Sequence, residues 1–312
     1  MNFTNNIYNQ IIKGSIWKKI LFILVIILVC LITIRVTTPH KEGFVQLTKF
    51  QQFSNANDIY DNFYADVYDE IYHSELLCDN VYSKIKEIAK PTQTSRLLDI
   101  GIGTGCLMQE FTKGNIPIEG IDTSQAMIKK AKEKNNLLKI KHGDALDSFN
   151  YNEDDFTHII CFYFTIYYIQ DKHMFLQNIY NWLEPGGILI LHLVNRNKFD
   201  PIVPAGNPLL FVSPQKYAKK RITNSVIKFK DFQYKSNFKL EAENDKAFFY
   251  EEFRDDVTGK VRKHEHQLYM PPQSTILGIA QDIGFNVFKK YDMIELHYEY
   301  QYLYFLQKPN DY

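Results

Sequence analysis

Three glycines spaced by single residues, Gly101, Gly103 and Gly105, follow an acid, Asp99, in the stretch SRLLDIGIGTGCLMQEF from Ser95 to Phe111. An apolar strand that runs into such a turn bends sharply and lets a ligand approach main-chain amides closely. A second acid, Asp122, closes the next apolar segment, IEGID. A carboxylate at that place can accept both hydroxyls of a ribose. Together the two features permit a dinucleotide or another adenosine-containing cofactor. The pattern from Gly101 is G-x-G-x-G followed by Cys106, without the last glycine of a dinucleotide turn, and no G-K-[ST] completes a phosphate loop.

Groups able to take or hold a proton near such a turn are Tyr64, Tyr167, His192 and Arg196. His264 and His266 share one face of a predicted strand and could reach a pocket or a metal. No third ligand accompanies them, and no C-x-x-C pair exists, so no metal site is expected. Cys30, Cys78, Cys106 and Cys161 show no short paired spacing, which suits a reducing compartment. Lysine plus arginine and aspartate plus glutamate balance at 36 each, so no overall field recruits nucleic acid. The short basic run KYAKKR reads as a solvated face.

These residues need a scaffold, and the alternation of segments supplies one. Strands are predicted at 96–100, 116–121, 138–142, 156–163 and 188–194, with helices at 106–113, 124–134 and 172–182 between them. Such βαβ alternation implies a parallel sheet covered by helices on both faces. Beyond Pro201 the pattern turns to extended antiparallel segments, 225–234, 237–242, 247–253 and 261–269, with a turn at Thr258-Gly259. A helix and two strands, 286–293 and 300–307, follow. Upstream, Tyr60, Tyr64, Tyr68 and Tyr72 recur every fourth residue and form a drifting helical stripe, either packed on the domain or roofing a pocket.

At this level of detail the chain resembles the class I S-adenosylmethionine-dependent methyltransferases. LLDIGIGTG is similar to their first motif, IEGIDTSQAMIKKA to their second-strand acid and helix, KHGDALD to their third-strand segment, and WLEPGGILILHLV to their turn into strand five. The resemblance implies an α/β Rossmann-like fold: a seven-stranded, mostly parallel sheet with an antiparallel C-terminal strand pair and an inserted antiparallel β region. It implies S-adenosyl-L-methionine as cofactor. Asp99 with Gly101, Gly103 and Gly105 would hold the methionine end, and Asp122 the ribose. Thr123 to Met127 would flank the adenine, and Asp144 with Ala145 would edge it. Cys161, Phe162 and Tyr163 would line the floor beneath the sulfonium, and Tyr60 and Tyr64 would fold over the cofactor. Tyr64, Tyr167 and His192 are the candidate catalytic side chains. Thr157 departs from the aspartate usual after the strand-four phenylalanine. Neither [DNS]-P-P-[YFW] nor a Pro-Cys nucleophile is present, which speaks against adenine, glutamine and cytosine-carbon acceptors.

Near the N-terminus, an uncharged run from Ile20 to Ile34 is flanked by Lys18, Lys19 and Arg35. Extended by Ile16, Trp17 and snorkelling cations, it reaches the ~30 Å of a hydrocarbon core. The expectation is a tail (1–15), a single transmembrane helix (16–38), a linker (39–57) and a methyltransferase domain (58–312). That domain divides into core motifs (95–195), an inserted substrate-side region (197–270) and a closing helix and strand pair (271–308). A cleaved signal peptide and a soluble helix are the other readings of the apolar run. The expected function is a membrane-anchored methyltransferase whose domain lies on the cytosolic side and whose acceptor is a small molecule, a lipid-associated group or a protein. The alternatives are a cofactor-fold scaffold without turnover and, against the glycine spacing, a nicotinamide oxidoreductase.

Overall fold

In this computed structural model residues 15–37, 50–54, 56–206 and 214–310 are described. Nearly all of the expected tail (1–15) and most of the expected linker (39–57) lie outside the described residues. The first element is α1 (Ile16–Thr37). Each apolar side chain on it from Ile20 to Val29 is exposed. Among the described residues no helix is long and apolar enough to cross a membrane, and side chains on α1 are described only as far as Cys30. The transmembrane helix expected over 16–38 is thus corrected to an exposed apolar helix. The linker needs a correction too, because Phe50–Phe53 forms β1, an edge strand paired in parallel with a segment some two hundred residues later.

The tyrosine stripe is only partly helical. Asp61 caps α2 (Asn62–Tyr72), its Oδ1 accepting the Tyr64 N–H at 3.1 Å, so Tyr60 lies before the helix. His73, in the left-handed region, turns the chain into α3 (Ser74–Ile88). There follow β2 (Leu97–Ile100), α4 (Cys106–Lys113), β3 (Ile118–Asp122), α5 (Gln125–Lys134), β4 (Lys139–His142), β5 (Phe156–Cys161), a single turn α6 (Thr165–Tyr168), α7 (Lys172–Trp182) and β6 (Leu183–Val194). The inserted region holds β7 (Asn224–Lys228), β8 (Phe232–Glu241), β9 (Lys246–Asp255) and β10 (Val261–Tyr269). α8 (Gln273–Ile283), β11 (Asn286–Asp292) and β12 (Gln301–Gln307) close the chain.

The main sheet has the order β11-β12-β6-β5-β2-β3-β4. Its first five strands in the chain are parallel, while β12 runs antiparallel to both β6 and β11. All four residues of β2 are buried, which is why this central strand reads as an unbroken apolar run around one acid. Apolar faces of α7 and α8 cover one side of the sheet. The other side is covered by α3, α4 and α5. The order reverses between β3 and β5 on either side of β2, so a crevice opens at the carboxyl end of β2.

The inserted region forms a separate five-stranded sheet, β1-β10-β9-β8-β7. The single strand expected at 225–234 is two strands joined by a tight turn, with Phe229 N–H donating to Phe232 O at 2.9 Å. Between this sheet and the main domain lies α2, whose Phe63, Tyr64 and Val67 pack on Phe232, Tyr234 and Phe253. Ion pairs Lys130–Asp66 and Lys134–Asp69 fasten α2 to α5. Cys78 of α3 and Cys106 of α4 are joined by a disulfide, which corrects the expectation of unpaired thiols.

Candidate functional site

The glycine turn stands at the sheet's switch point. Gly101, Gly103 and Gly105 all have positive φ, +71°, +55° and +74°. Gly101 donates its N–H to Ile121 O at 2.8 Å, and a Cβ there would lie 2.5 Å from the Thr165 side chain. Gly103 N–H donates to Asp122 Oδ2 at 3.0 Å, and Ser124 N–H donates to Oδ1 at 2.8 Å. Those two bonds fix the Asp122 carboxylate while leaving a lone pair on each oxygen. Burial raises its pKa, against the lowering effect of the two amides. Asp99 is buried as well, and burial together with the nearby Asp122 charge pushes it up to about 7. A buried and a half-buried acid in one crevice call for a ligand that brings positive charge and hydroxyl donors.

A cavity of about 500 Å³ extends from this turn. Of the residues expected to hold a cofactor, Asp99, Gly101, Gly103, Asp122, Thr123, Met127, Asp144, Ala145, Phe162 and Tyr60 line it. Three do not. Gly105 faces the helices, where a Cβ would stand 2.8 Å from Ala131 Cβ, so it permits α4 to approach α5 and does not line the cavity. Cys161 is buried beneath Asp99, its thiol pushed up by burial. Tyr64 is turned away into the packing of α2, with its hydroxyl 3.2 Å from that of Tyr72.

The other catalytic candidates, Tyr167 and His192, line neither this cavity nor the one beside it. Tyr167 is buried and its hydroxyl oxygen accepts the Val194 N–H at 2.8 Å, pinning α6 to β6. His192 is fully buried, lines neither cavity, and is lowered to about 4 by burial. Its Nδ1–H donates to Tyr163 O at 2.7 Å, supporting a residue held at φ 56°. Replacing His192 by Ala should strand that carbonyl and lower stability by about 2 kcal/mol, or ~5 °C in Tm. His192→Asn, which can still donate, should recover most of it; equal melting of all three proteins would refute the role. Arg196 donates to Asp245 Oδ1 at 2.5 Å and to Met270 O at 2.6 Å, joining β6 to the inserted sheet.

A second cavity of about 390 Å³ lies against the first. Its own walls come largely from the inserted region and are mostly apolar, with Phe199, Ile202, Val203, Phe238, Phe249 and Leu268, while Asp200, Glu295, His297 and Gln301 add polar groups. Both cavities share Tyr60, Tyr68, Tyr72, Tyr163, Phe164 and Tyr168. Tyr163, expected at the floor beneath the sulfonium, lines both cavities; Phe164 and Tyr168 were not singled out from the sequence, where nothing separates them from other aromatics. Lys172 holds this wall in place, its Nζ donating to Ile169 O at 2.7 Å, Tyr269 O at 2.8 Å and Ile166 O at 3.2 Å.

Behind the wall, His264 and His266 find a partner that the sequence left unseen. Register places His264 opposite Glu251. Glu251 Oε2 lies 3.1 Å from His264 Nδ1 and 2.8 Å from His266 Nε2, and Oε1 accepts from Tyr234 at 2.7 Å. All three are buried, and their ligand-type atoms lie within 4.8 Å of one another. Arg262 Nε donates to His264 Nε2 at 2.6 Å, which requires a neutral His264 with its hydrogen on Nδ1. Burial would raise Glu251, but His266 and the hydrogen bonds from both histidines hold it well below the usual carboxylate range. An adjoining guanidinium and imidazole N–H groups already turned to the carboxylate disfavour a cation here.

A protein-family profile described as "Methyltransferase domain" matches residues 68–290. A ubiquinone biosynthesis O-methyltransferase of Maricaulis maris is 26% identical over 111 residues, 34% of this chain. The chain spans 43% of that curated relative's length. Among solved structures, an S-adenosylmethionine-dependent methyltransferase from Clostridium acetobutylicum has a TM-score of 0.60 at 19% identity, covering 80% of this chain and 99% of the other. DesVI of Streptomyces venezuelae gives 0.57 at 19% identity, covering 79% and 98%. At such identities these structures establish the fold.

Proposed function

This chain belongs to the S-adenosylmethionine-dependent methyltransferase family, and from that premise we propose that it methylates a small acceptor with a largely apolar body, seated in the second cavity. One observation carries the proposal: an aromatic wall shared by the cofactor crevice and an apolar cavity beside it. The cofactor fits the residues present. Asp99 offers a buried carboxylate for its ammonium, Asp122 for its ribose hydroxyls, and the left-handed glycines a close main-chain approach. When bound, the cofactor supplies a sulfonium-activated methyl group. The protein's part is to exclude water and hold the acceptor in line, with the Tyr60–Tyr168 wall against it. The curated relative's O-methyltransferase name favours an oxygen acceptor. A scaffold without turnover is disfavoured by an acceptor-sized cavity in this position.

Incubating the full chain with cofactor labelled in its methyl group and a cell extract tests the reading. Label in an extractable small molecule supports it; label in protein alone, or none, refutes it. Asp99 gives a further expectation. Its folded pKa of about 7 exceeds the ordinary 3.8, so in the free protein it takes up a proton on folding and its contribution to stability declines as pH rises between those values. A cationic ligand wants the carboxylate, so cofactor affinity should rise about tenfold between about pH 6 and 8, with proton release. Calorimetry in two buffers of different ionisation heat measures both; a pH-independent affinity would remove Asp99 from the contact.

We also propose a location at a membrane surface, the domain facing the cytosol. The support is the exposed apolar surface of α1, unfavourable in water by about 25 cal/mol per Å². The Cys78–Cys106 bond withdraws the thiol argument for a reducing compartment, leaving the cofactor's. The full chain should co-sediment with vesicles and lose that binding on deletion of 1–38; a full chain that stays in the supernatant would overturn it.

A further inference from the structure

Hydrogen bonds run without a break from the shared wall to the buried carboxylate. Tyr60 donates to Tyr168 Oη at 3.0 Å, Tyr168 Oη lies 2.7 Å from His266 Nδ1, and His266 Nε2 lies 2.8 Å from Glu251 Oε2. Each hydrogen can be placed. An ionised Glu251 accepts only, so His266 carries its hydrogen on Nε2, and its bare Nδ1 accepts from Tyr168. Tyr168 thereby uses its hydrogen, and Tyr60 must donate to it. Tyr60 lines both cavities, and its oxygen keeps its lone pairs for a new donor. At its far end the chain is braced by groups that cannot themselves take the proton: Tyr234 donates to Oε1, and His264 is committed to Arg262, which in turn pairs with Asp61 at 2.9 Å.

We propose that Tyr60, Tyr168, His266 and Glu251 form a proton relay that deprotonates the acceptor, and hence that the acceptor presents a hydroxyl or ammonium group. This rests on the reading of the second cavity as the acceptor's. In the step, the acceptor O–H or N–H bond breaks and its proton passes to Tyr60 Oη. The Tyr60 proton moves to Tyr168, and the Tyr168 proton to His266 Nδ1. Both phenols end neutral, and the imidazolium pairs with the Glu251 carboxylate, as an imidazole does when a carboxylate braces it. The freed acceptor lone pair forms the bond to the methyl carbon, while the carbon–sulfur pair stays on sulfur. Tyr60 touches the acceptor; His266 and Glu251 act through the tyrosines.

The groups facing His266 are Tyr60 and Tyr64 from the stripe, Tyr168 from α6, Glu251 from β9 and His264 on its own strand. Among these only His266 combines a bare nitrogen with a bonded path to the cavity.

Two probes separate the relay from a structural role. Catechol must lose a proton, whereas benzenethiol is ionised near pH 8 without help. With the full chain, Tyr168→Phe and His266→Gln should slow catechol methylation by about 100-fold or more. His266→Gln, which alters neither cavity's lining, should leave benzenethiol methylation and S-adenosylhomocysteine affinity within about threefold of wild type, by the same logic of base dependence. Equal losses on both probes would overturn the proposal. Nitrogen-15 NMR of histidine-labelled protein gives an arm that needs no turnover: the His266 hydrogen is expected on Nε2 with Nδ1 bare, and a hydrogen on Nδ1 would overturn it. So would one zinc ion bound per chain after dialysis against zinc. If neither probe accepts a methyl group, the acceptor reading fails by itself, and the NMR result decides the relay.

Discussion

Gly101→Ala should weaken S-adenosylhomocysteine binding by roughly 30- to 1,000-fold, the equivalent of about 2–4 kcal/mol. Two effects add. At φ +71° a side chain suffers backbone strain of about 1–3 kcal/mol. The new Cβ would also meet Thr165 Cγ2 and Oγ1 at 2.5 Å, far inside contact distance. Thr165 begins α6, the turn that carries Tyr168, so it cannot retreat without moving the aromatic wall. The glycine turn must shift, and its shift carries the Gly103 amide away from Asp122. Adding Thr165→Ala removes both clashing atoms and leaves the strain. The double variant should regain part of the lost affinity, and the cycle apportions the two effects. Calorimetric affinity for Gly101→Ala within threefold of wild type would show that the turn does not shape the crevice.

The same turn marks the limit of what sequence alone can tell. Asp99, the glycines and Asp122 were legible because strand, turn and strand are short-range, and the ligand contact is made by main chain whose path those residues dictate. Gly105 shares the motif but serves the packing of α4 on α5, a distinction that needs the position of Ala131. The tyrosine stripe shows the same difficulty. A spacing of four drifts around a helix by about 40° per step, and Asp61 starts α2 after Tyr60, so Tyr60 and Tyr68 reach the cavities while Tyr64 is buried. Glu251 was invisible as the partner of His264 and His266, because it joins them only through the register of β9 on β10. β1 pairs with β10 across most of the chain, a pairing that no local pattern announces. The disulfide between α3 and α4 likewise joins residues 28 apart that carry no spacing signal.

Those tyrosines also govern how the folded chain responds to alkali, and the sign follows from their burial. Tyr60, Tyr64, Tyr68, Tyr72, Tyr163, Tyr167, Tyr168 and Tyr234 are all raised above 10.0, chiefly by desolvation. Above that pH the unfolded chain releases these protons and the folded chain keeps them. The folded state then binds more protons, so stability falls as pH rises. Each such group contributes a slope of about 1.4 kcal/mol per pH unit, and eight together give about 11. A whole domain is stable by only about 5–15 kcal/mol. Lys172 opposes the trend: burial lowers it to about 8, so between 8 and 10.5 the unfolded chain holds its proton and stability rises. That is one group against eight, and its effect ends where theirs begins. The protein should therefore unfold cooperatively within about one to two pH units above the ordinary tyrosine value of about 10. Near-ultraviolet tyrosinate absorbance and far-ultraviolet circular dichroism should change together at a single steep midpoint. Bound S-adenosylhomocysteine should move that midpoint up, because it stabilises only the state in which the tyrosines remain protonated. Tyrosines that ionise gradually, at ordinary values and with the circular dichroism intact, would mean that the wall is open to water, and both the proposed acceptor site and the relay behind it would fall with that result.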